Sequence, residues 1–374
     1  MELDKLSEGI SKTGFVLENR IASNLKQSGW TVISNKYYED DFTSSVREID
    51  LLAYKVSKVQ QFDVYTTLLI SCKKNDSNAW ALLARDINLK DPNSDWWPLH
   101  AWSNDKGLQY QLAQAGCGKT YHDELTKLGV TDALSIPAVE VFAFQEMNCE
   151  SGLPKNDTNI FNAVTSLMKA QAYELSALPQ RKKKPSIYQF NLISINDSDL
   201  VRLKFDKENI KPELIKSEHY IARYIIRKSE SFSRIRFVKA SYFKDTLADY
   251  DRLHKANCTW FDKTYNCFYD GVVKDSKRIN VYLDEFRNRV SWSLNSKLQE
   301  HFGKNIQSGD INLEWNTDKN RLSITFIQTN DDAVYDFLNQ DQDSIKIAAN
   351  ALKKIYQYSG EFRFTDFWDS DIPF

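Results

Sequence analysis

Three short stretches in the first 75 residues carry side chains that could do chemistry together. Glu18 stands three, four and seven residues ahead of Ile21, Ala22 and Leu25, so on a helix it lies on the apolar stripe. A carboxylate so placed needs a partner or a task, because buried Glu is rare unless paired; alone, it could equally snorkel to water at the stripe's edge. In Arg47-Glu48-Ile49-Asp50-Leu51-Leu52-Ala53, an extended backbone sends Glu48 and Asp50 to one face and Ile49 and Leu51 to the other. Asp50 sits among the most apolar residues of its run, which is costly unless it binds a cation or a hydrogen-bond donor. In Leu68-Leu69-Ile70-Ser71-Cys72-Lys73-Lys74, Ser71 and Lys73 share one face at the end of an apolar strand.

The elements that must position these groups follow from periodicity. Residues 14–27 have Phe15, Ile21, Ala22 and Leu25 at helical spacing, with Thr13 as candidate N-cap and Gly29 as stop. Three strand-like runs follow: Trp30 to Tyr38, Val46 to Val56 and Val64 to Cys72, the first two joined by a polar turn at 39–45. Residues 78–85 read as a short helix and 86–107 as a loop rich in Trp, Asn and Asp. Residues 108–129 are expected to be helical, 138–144 a strand and 159–178 a long amphipathic helix. Strands are then expected at 187–195, 200–205, 220–227 and 235–240, followed by a helix at 241–256 and a helical or mixed stretch at 277–302. A hairpin across Thr317-Asp318-Lys319-Asn320 and a final helix at about 332–357 complete the reading.

A helical Glu, a strand Asp and a hydrophobic strand ending in x-Cys-Lys, in αβββα order, resemble the PD-(D/E)XK nuclease superfamily. The likeness is nearest to its Mrr-like and Holliday-junction-resolvase-like members. These usually show a Val/Ile-Asp-Leu strand and, about twenty residues on, Glu-Cys-Lys or Glu-x-Lys; the positions here are Ile49-Asp50-Leu51 and Ser71-Cys72-Lys73. The resemblance covers roughly residues 14–180. It implies an α/β fold with a restriction-endonuclease-like αβββαβ core, a mixed sheet flanked by helices. The nuclease-like domain spans 1–180 with an insertion at about 86–135. A C-terminal α+β region follows at 186–374, with a further division near 257. It also implies metal-assisted phosphodiester hydrolysis with Mg²⁺ or Mn²⁺, hard cations that take oxygen ligands. Carried over, Asp50 is the principal metal ligand, the Cys72 carbonyl completes the site, Glu18 orients a metal-bound water and Lys73 is the catalytic lysine. The family's usual acidic residue is Ser71 here. Three accounts are open: Ser71 binds the metal through water, Glu48 supplies the missing carboxylate, or the site is inactive.

Charge points the same way. The 374 residues carry 49 basic and 51 acidic side chains, a net charge of −2. That total averages −6 over 1–180, +8 over 181–257 and −4 over 258–374. The middle block opens with Arg181-Lys182-Lys183-Lys184, a candidate phosphate-contacting run; concentrated basic charge is the electrostatic footprint of a nucleic acid, although solvated faces look similar. Composition excludes disordered, collagen-like and disulfide-stapled classes. No apolar run approaches the roughly 18–20 residues of a membrane span, so no membrane partner is expected. Residues 1–12 lack the apolar segment of a secretory leader, and five cysteines without a CxxC pair favour a reduced, cytoplasmic setting.

Other signals are weaker. Residues 113–120 fit A-x4-G-K-T, but no buried strand precedes them, and only 12 glycines occur in the chain. His254, Cys258 and Cys267 lack a fourth zinc ligand at standard spacing. Trp96, Trp97 and Trp102 could stack bases but more simply pin the insertion to the core. The leading expectation is a metal-dependent DNA endonuclease, with restriction-type resemblance suggesting defence against foreign DNA or DNA processing. RNA as substrate, a homodimer and a partner protein stay open. The second expectation is a nucleic-acid-binding or sensing module on a catalytically degenerate nuclease fold; a nucleotide hydrolase using Lys119 is a distant third.

Overall fold

The computed structural model describes residues 3–40, 44–327, 329 and 331–366. They form two compact units: Met1–Asp105 with Gln114–Asp262, and Lys106–Ala113 with Lys263–Phe374. The division falls at Asp262.

The first unit begins with helices α1 (Leu3–Ser11) and α2 (Gly14–Gln27), then strands β1 (Thr31–Glu39), β2 (Val46–Val59), β3 (Phe62–Lys73), β4 (Asn78–Arg85) and β5 (Ala101–Ser103). Helix α3 (Lys106–Leu112) belongs to the second unit; α4 (Cys117–Lys127), β6 (Glu140–Asn148) and the long α5 (Thr158–Arg181) return to the first. Then come β7 (Ser186–Asn196), β8 (Leu200–Asp206), β9 (Asn209–Ile215), β10 (Ser217–Ile226), β11 (Ser229–Lys239) and α6 (Phe243–Tyr269). A mixed sheet runs β1-β2-β3-β7-β11-β10, with β5 also on β7, and a four-stranded sheet runs β6-β4-β8-β9. The class is α/β, with mixed sheets flanked by helices.

β3 and β7 are parallel in the first sheet, and their continuations β4 and β8 are parallel in the second. Both segments change sheet at the same level, across residues 74–77 and 197–199. The crossing is tied by Asp197 N–H to the Lys73 carbonyl (3.1 Å) and Trp80 N–H to the Asp199 carbonyl (2.9 Å). The sheet change explains why 78–85 is a strand and not the helix its spacing suggests. Asn-Ala-Trp-Ala-Leu-Leu-Ala-Arg pairs with β6 on one side and β8 on the other, and ladder pairing overrides a weak helical preference.

On α2 the buried stripe is Leu17, Ile21, Ala22 and Leu25; Phe15, expected on it, is 62% exposed. α5 buries ten residues, among them Ile160, Leu167 and Leu178, in one core with Leu52, Leu69, Tyr188, Phe190, Leu192 and Phe237. The expected turn at 39–45 includes residues 41–43, which lie outside the described residues. Its first residue beyond β1, Asp40, is fully buried and bridges Arg47 (2.7 Å) and Lys169 of α5 (2.9 Å).

In the second unit, α7 (Ser276–Phe302) and, further on, α8 (Asp332–Gln340) and α9 (Gln342–Tyr356) flank a sheet of β12 (Ile311–Asn316), β13 (Arg321–Phe326) and β14 (Phe362–Phe364). Phe286, Val290, Leu294 and Leu298 recur every four residues along α7 and are fully buried. The single helix expected at 332–357 is broken at Asp341, whose side chain accepts from the Ser344 N–H (2.9 Å) and caps α9. Among the described residues no helix is long and apolar enough to cross a membrane.

Candidate active site

The β2–β3 ladder ends at Leu51↔Ile70, whereas the β3–β7 ladder continues to Lys73↔Asn196. The sheet therefore forks between β2 and β3 just where Asp50 and Ser71 stand. Past Ile70 the backbone of β3 has no ladder partner on β2. Asp50 fills that role, its Oδ2 accepting the Cys72 N–H at 2.5 Å. The same oxygen lies 3.8 Å from Lys73 Nζ and 3.4 Å from Ser71 Oγ. An acid in an apolar strand thus has two compensations: a main-chain donor and an ammonium. Both charged side chains keep partial access to solvent, 20% for Asp50 and 32% for Lys73.

Glu18 reaches the same place from α2. Burial first, then repulsion from Asp50 and Glu48, pushes its carboxyl above the ordinary value, and Lys73 offsets this only in part. Glu18, Asp50 and Lys73 are therefore within electrostatic reach of one another. Glu48 stands at the rim: it is exposed and accepts from Asn35 Nδ2. Asn35 adopts a left-handed backbone (φ 54°) opposite Asp50, between the register pairs Ser34↔Leu51 and Lys36↔Ile49. Asn tolerates that conformation better than most residues.

The far side of the fork holds groups that the sequence reading missed. Ser194 and Asn196 are the register partners of Ser71 and Lys73 and are 1% and 2% exposed. Ser194 Oγ and both polar atoms of the Asn196 amide have no hydrogen-bond partner. Buried, unsatisfied polar groups of this kind mark places where a ligand or ordered water completes the bonding. The signal was Asn191, Ser194 and Asn196 interrupting an apolar strand, in a stretch expected to lie in another domain.

Among the described residues no group of three or more His, Cys, Asp or Glu side chains is placed to hold a metal ion. The donors at the fork are two carboxylates, Asp50 and Glu18, with the Cys72 carbonyl and the Ser71 hydroxyl beside them. All are oxygens, and the Asp50 charge adds to burial in raising Glu18. That set suits a single Mg²⁺ or Mn²⁺, since Mg²⁺ is commonly held by one or two carboxylates and retains several waters.

The basic run is not brought to this site. Ser186 pairs with Asp63 and Asn196 with Lys73, so residues 181–184 lie at the other end of β3, about 33 Å along the strand. Arg181 pairs with Glu174 at 2.6 Å, Lys182 sits over the rings of Tyr65 and Tyr188, and Lys183 and Lys184 are exposed.

Compared with known proteins, the chain matches no family model, no curated protein and no solved structure. Function must be read from its own geometry.

The weaker motifs find structural explanations. Gly118 lies inside α4, not in a strand-to-helix phosphate loop, and a Cβ there would stand 2.4 Å from the Trp97 carbonyl oxygen. Lys119 pairs with Asp123 at 2.6 Å. Both ring nitrogens of His254 face hydroxyls, Nε2 to Ser57 (2.9 Å) and Nδ1 to Thr66 (3.0 Å). Trp96 is buried, its Nε1 donating to the Asn88 carbonyl at 3.2 Å, as expected of a residue that anchors the insertion.

Proposed function

We propose that this chain is a divalent-metal-dependent endonuclease that hydrolyses DNA phosphodiester bonds, in defence against foreign DNA or in DNA processing. The observation that carries the reading is the fork itself: Asp50 bonded to the Cys72 N–H, with Lys73 beside it and Glu18 approaching from α2. Support also comes from the element order. The order differs from the one expected within 1–180, since 78–85 and 140–148 are strands of the other sheet; α5 and β7 take the last two places, α2-β1-β2-β3-α5-β7, with β7 parallel to β3.

In this reading Asp50, Glu18 and the Cys72 carbonyl hold the cation. A bound divalent ion lowers the pKa of an attacking water and offsets charge on the phosphate. Asp50 is fixed by its main-chain bond before substrate arrives, so no reorganisation is needed at the moment of reaction. Lys73 places its ammonium where negative charge builds on the scissile phosphate. Glu18, ionised, orients the water. The Asn196 amide, buried without a hydrogen-bond partner on the residue paired with Lys73, supplies a donor and an acceptor that would bond that water.

Ser71 favours a second reading, a nucleic-acid-binding module without cleavage, because a neutral hydroxyl stands where a third carboxylate would bind metal. Plasmid cleavage in Mg²⁺ or Mn²⁺ separates the two. The endonuclease reading expects nicking or linearisation that disappears in Asp50→Ala and Lys73→Ala. Salt-sensitive DNA binding without cleavage by wild type supports the second reading instead.

A further inference from the structure

A second constellation lies on the sheet face near the C-terminal end of α5. A groove of about 320 Å³ is lined by Tyr54, Tyr65, Thr67, Glu174, Arg181 and Lys182, among others. Its floor is aromatic. Tyr65 and Tyr188 stack at 4.1 Å with ring planes 4° apart, and Tyr54 meets Tyr65 at 5.8 Å. Two buried polar atoms in its lining have no hydrogen-bond partner, Thr67 Oγ1 and Glu174 Oε1. Their residues are 2% and 5% exposed. Glu174 spends its other oxygen on Arg181, and Oε1 is 3.7 Å from Lys36 Nζ, beyond hydrogen-bond reach.

Charge selects the class of ligand. Lys36, Arg181 and Lys182 outnumber Glu174 three to one in the lining, so the groove repels organic cations in spite of its aromatic floor. It suits an anion that carries a flat ring. Glu174 Oε1, ion-paired with Lys36 at 3.7 Å but without a hydrogen bond, can accept from an N–H donor on that ring's edge, and the Thr67 hydroxyl can donate or accept beside it. The volume sits at the low end for ligand pockets, roughly 300–1,000 Å³, which fits one nucleotide and not a duplex.

We propose that this groove binds a single purine nucleotide. The base lies against Tyr54, Tyr65 and Tyr188 with its amino edge toward Glu174 and Thr67, and the phosphate is held by Arg181 and Lys182. Lys183 and Lys184, exposed next in sequence, extend the phosphate contact outward. This gives the basic run a role that the fork, at the other end of β3, does not. The ligand is a free mononucleotide or the terminal nucleotide of a single strand, which share this chemistry.

Calorimetric titration of the full chain carrying Asp50→Ala, without divalent metal, tests the site independently of any cleavage. The probes are AMP, GMP, UMP, inorganic phosphate and a 5′-phosphorylated purine-ended oligonucleotide. Saturable one-to-one binding is expected for AMP or GMP, with UMP and phosphate weaker by roughly tenfold or more, the loss of aromatic contact area and one polar contact. Lys182→Ala and Thr67→Val, each checked for an unchanged thermal midpoint, should each weaken binding roughly tenfold. Tighter binding of the oligonucleotide than of AMP or GMP, lost in the same variants, identifies a strand end as the ligand. The proposal is overturned if no purine nucleotide binds saturably, if phosphate binds as tightly as AMP and GMP, or if the variants leave affinity unchanged.

Discussion

Asp50 Oδ2 accepts the Cys72 main-chain N–H at 2.5 Å across the gap where β2 and β3 part. One carboxylate oxygen therefore closes a ladder that the backbone leaves open and stands 3.8 Å from the Lys73 ammonium. Structure and chemistry can be separated here by substitution. In an Asp50→Asn variant the side-chain amide can still accept the Cys72 N–H through its oxygen, but it carries no charge.

Glu18 should show a trade of stability against activity. Its carboxyl is raised, so the folded chain binds a proton more readily than the unfolded chain does. The ionised group therefore disfavours folding at neutral pH, and the penalty is relieved as pH falls toward its raised value. Glu18→Gln should raise the thermal midpoint at pH 7 and abolish cleavage.

Ser71 and Lys73 face the same carboxylate with different consequences. At 3.4 Å the Ser71 hydroxyl makes at best a long, weak bond to Asp50, whereas Lys73 supplies a full charge. Ser71→Ala should leave cleavage within about tenfold of wild type. Lys73→Ala should lower kcat by on the order of 10²–10³, the usual cost of one preorganised electrostatic group. Single-turnover rates at saturating metal measure both.

Gly118 should answer to packing and not to nucleotide. Gly118→Ala puts a methyl 2.4 Å from the Trp97 carbonyl oxygen and should destabilise by about 1–3 kcal/mol in denaturant unfolding. Lys119→Ala removes an exposed pair with Asp123 and an ammonium 5.4 Å from the Trp97 ring centre and should change stability by no more than about 1 kcal/mol. Neither should affect any nucleotide-dependent turnover.

Acid should weaken the first unit through its buried histidines. Burial, together with the positive charge of Arg234, holds His122 down to about 4, and His219 and His100 are lowered too. Carbonyl neighbours, Leu134 and Pro98 for His122 at 3.3 and 3.4 Å, favour the protonated ring and offset this lowering only in part. The unfolded chain takes up these protons below about 6.5, and the folded chain does not until lower pH. Stability should be level above pH 6.5 and fall between 6.5 and 4, His122 alone contributing on the order of 3 kcal/mol. Thermal midpoints against pH should show a shallower fall in His122→Gln, whatever that variant's starting stability.

What was legible in the sequence was local. Glu18 and Asp50 each break the pattern of their own element, a charge where an apolar residue belongs; Lys73 stands at a strand end, where alone it reads as a solvent cap; and periodicity places α2 and β1 to β3. What was not legible depended on long-range pairing. The run at 78–85 fits helix and strand alike, and only its neighbours β6 and β8 decide between them. Asn196 and Ser194 join the fork because β7 pairs with β3 across a long insertion, which no local pattern reveals. The basic run was visible as charge, but its distance from Lys73 is a property of strand direction.

The central claim is tested most directly by incubating wild type and Asp50→Asn with supercoiled plasmid in Mg²⁺ or Mn²⁺, after matching their thermal midpoints. Wild type should nick or linearise the plasmid only with metal, and an equally folded Asp50→Asn chain should cut at least roughly a hundredfold more slowly. Equal cleavage by the two, or no cleavage by wild type with either metal, would contradict it.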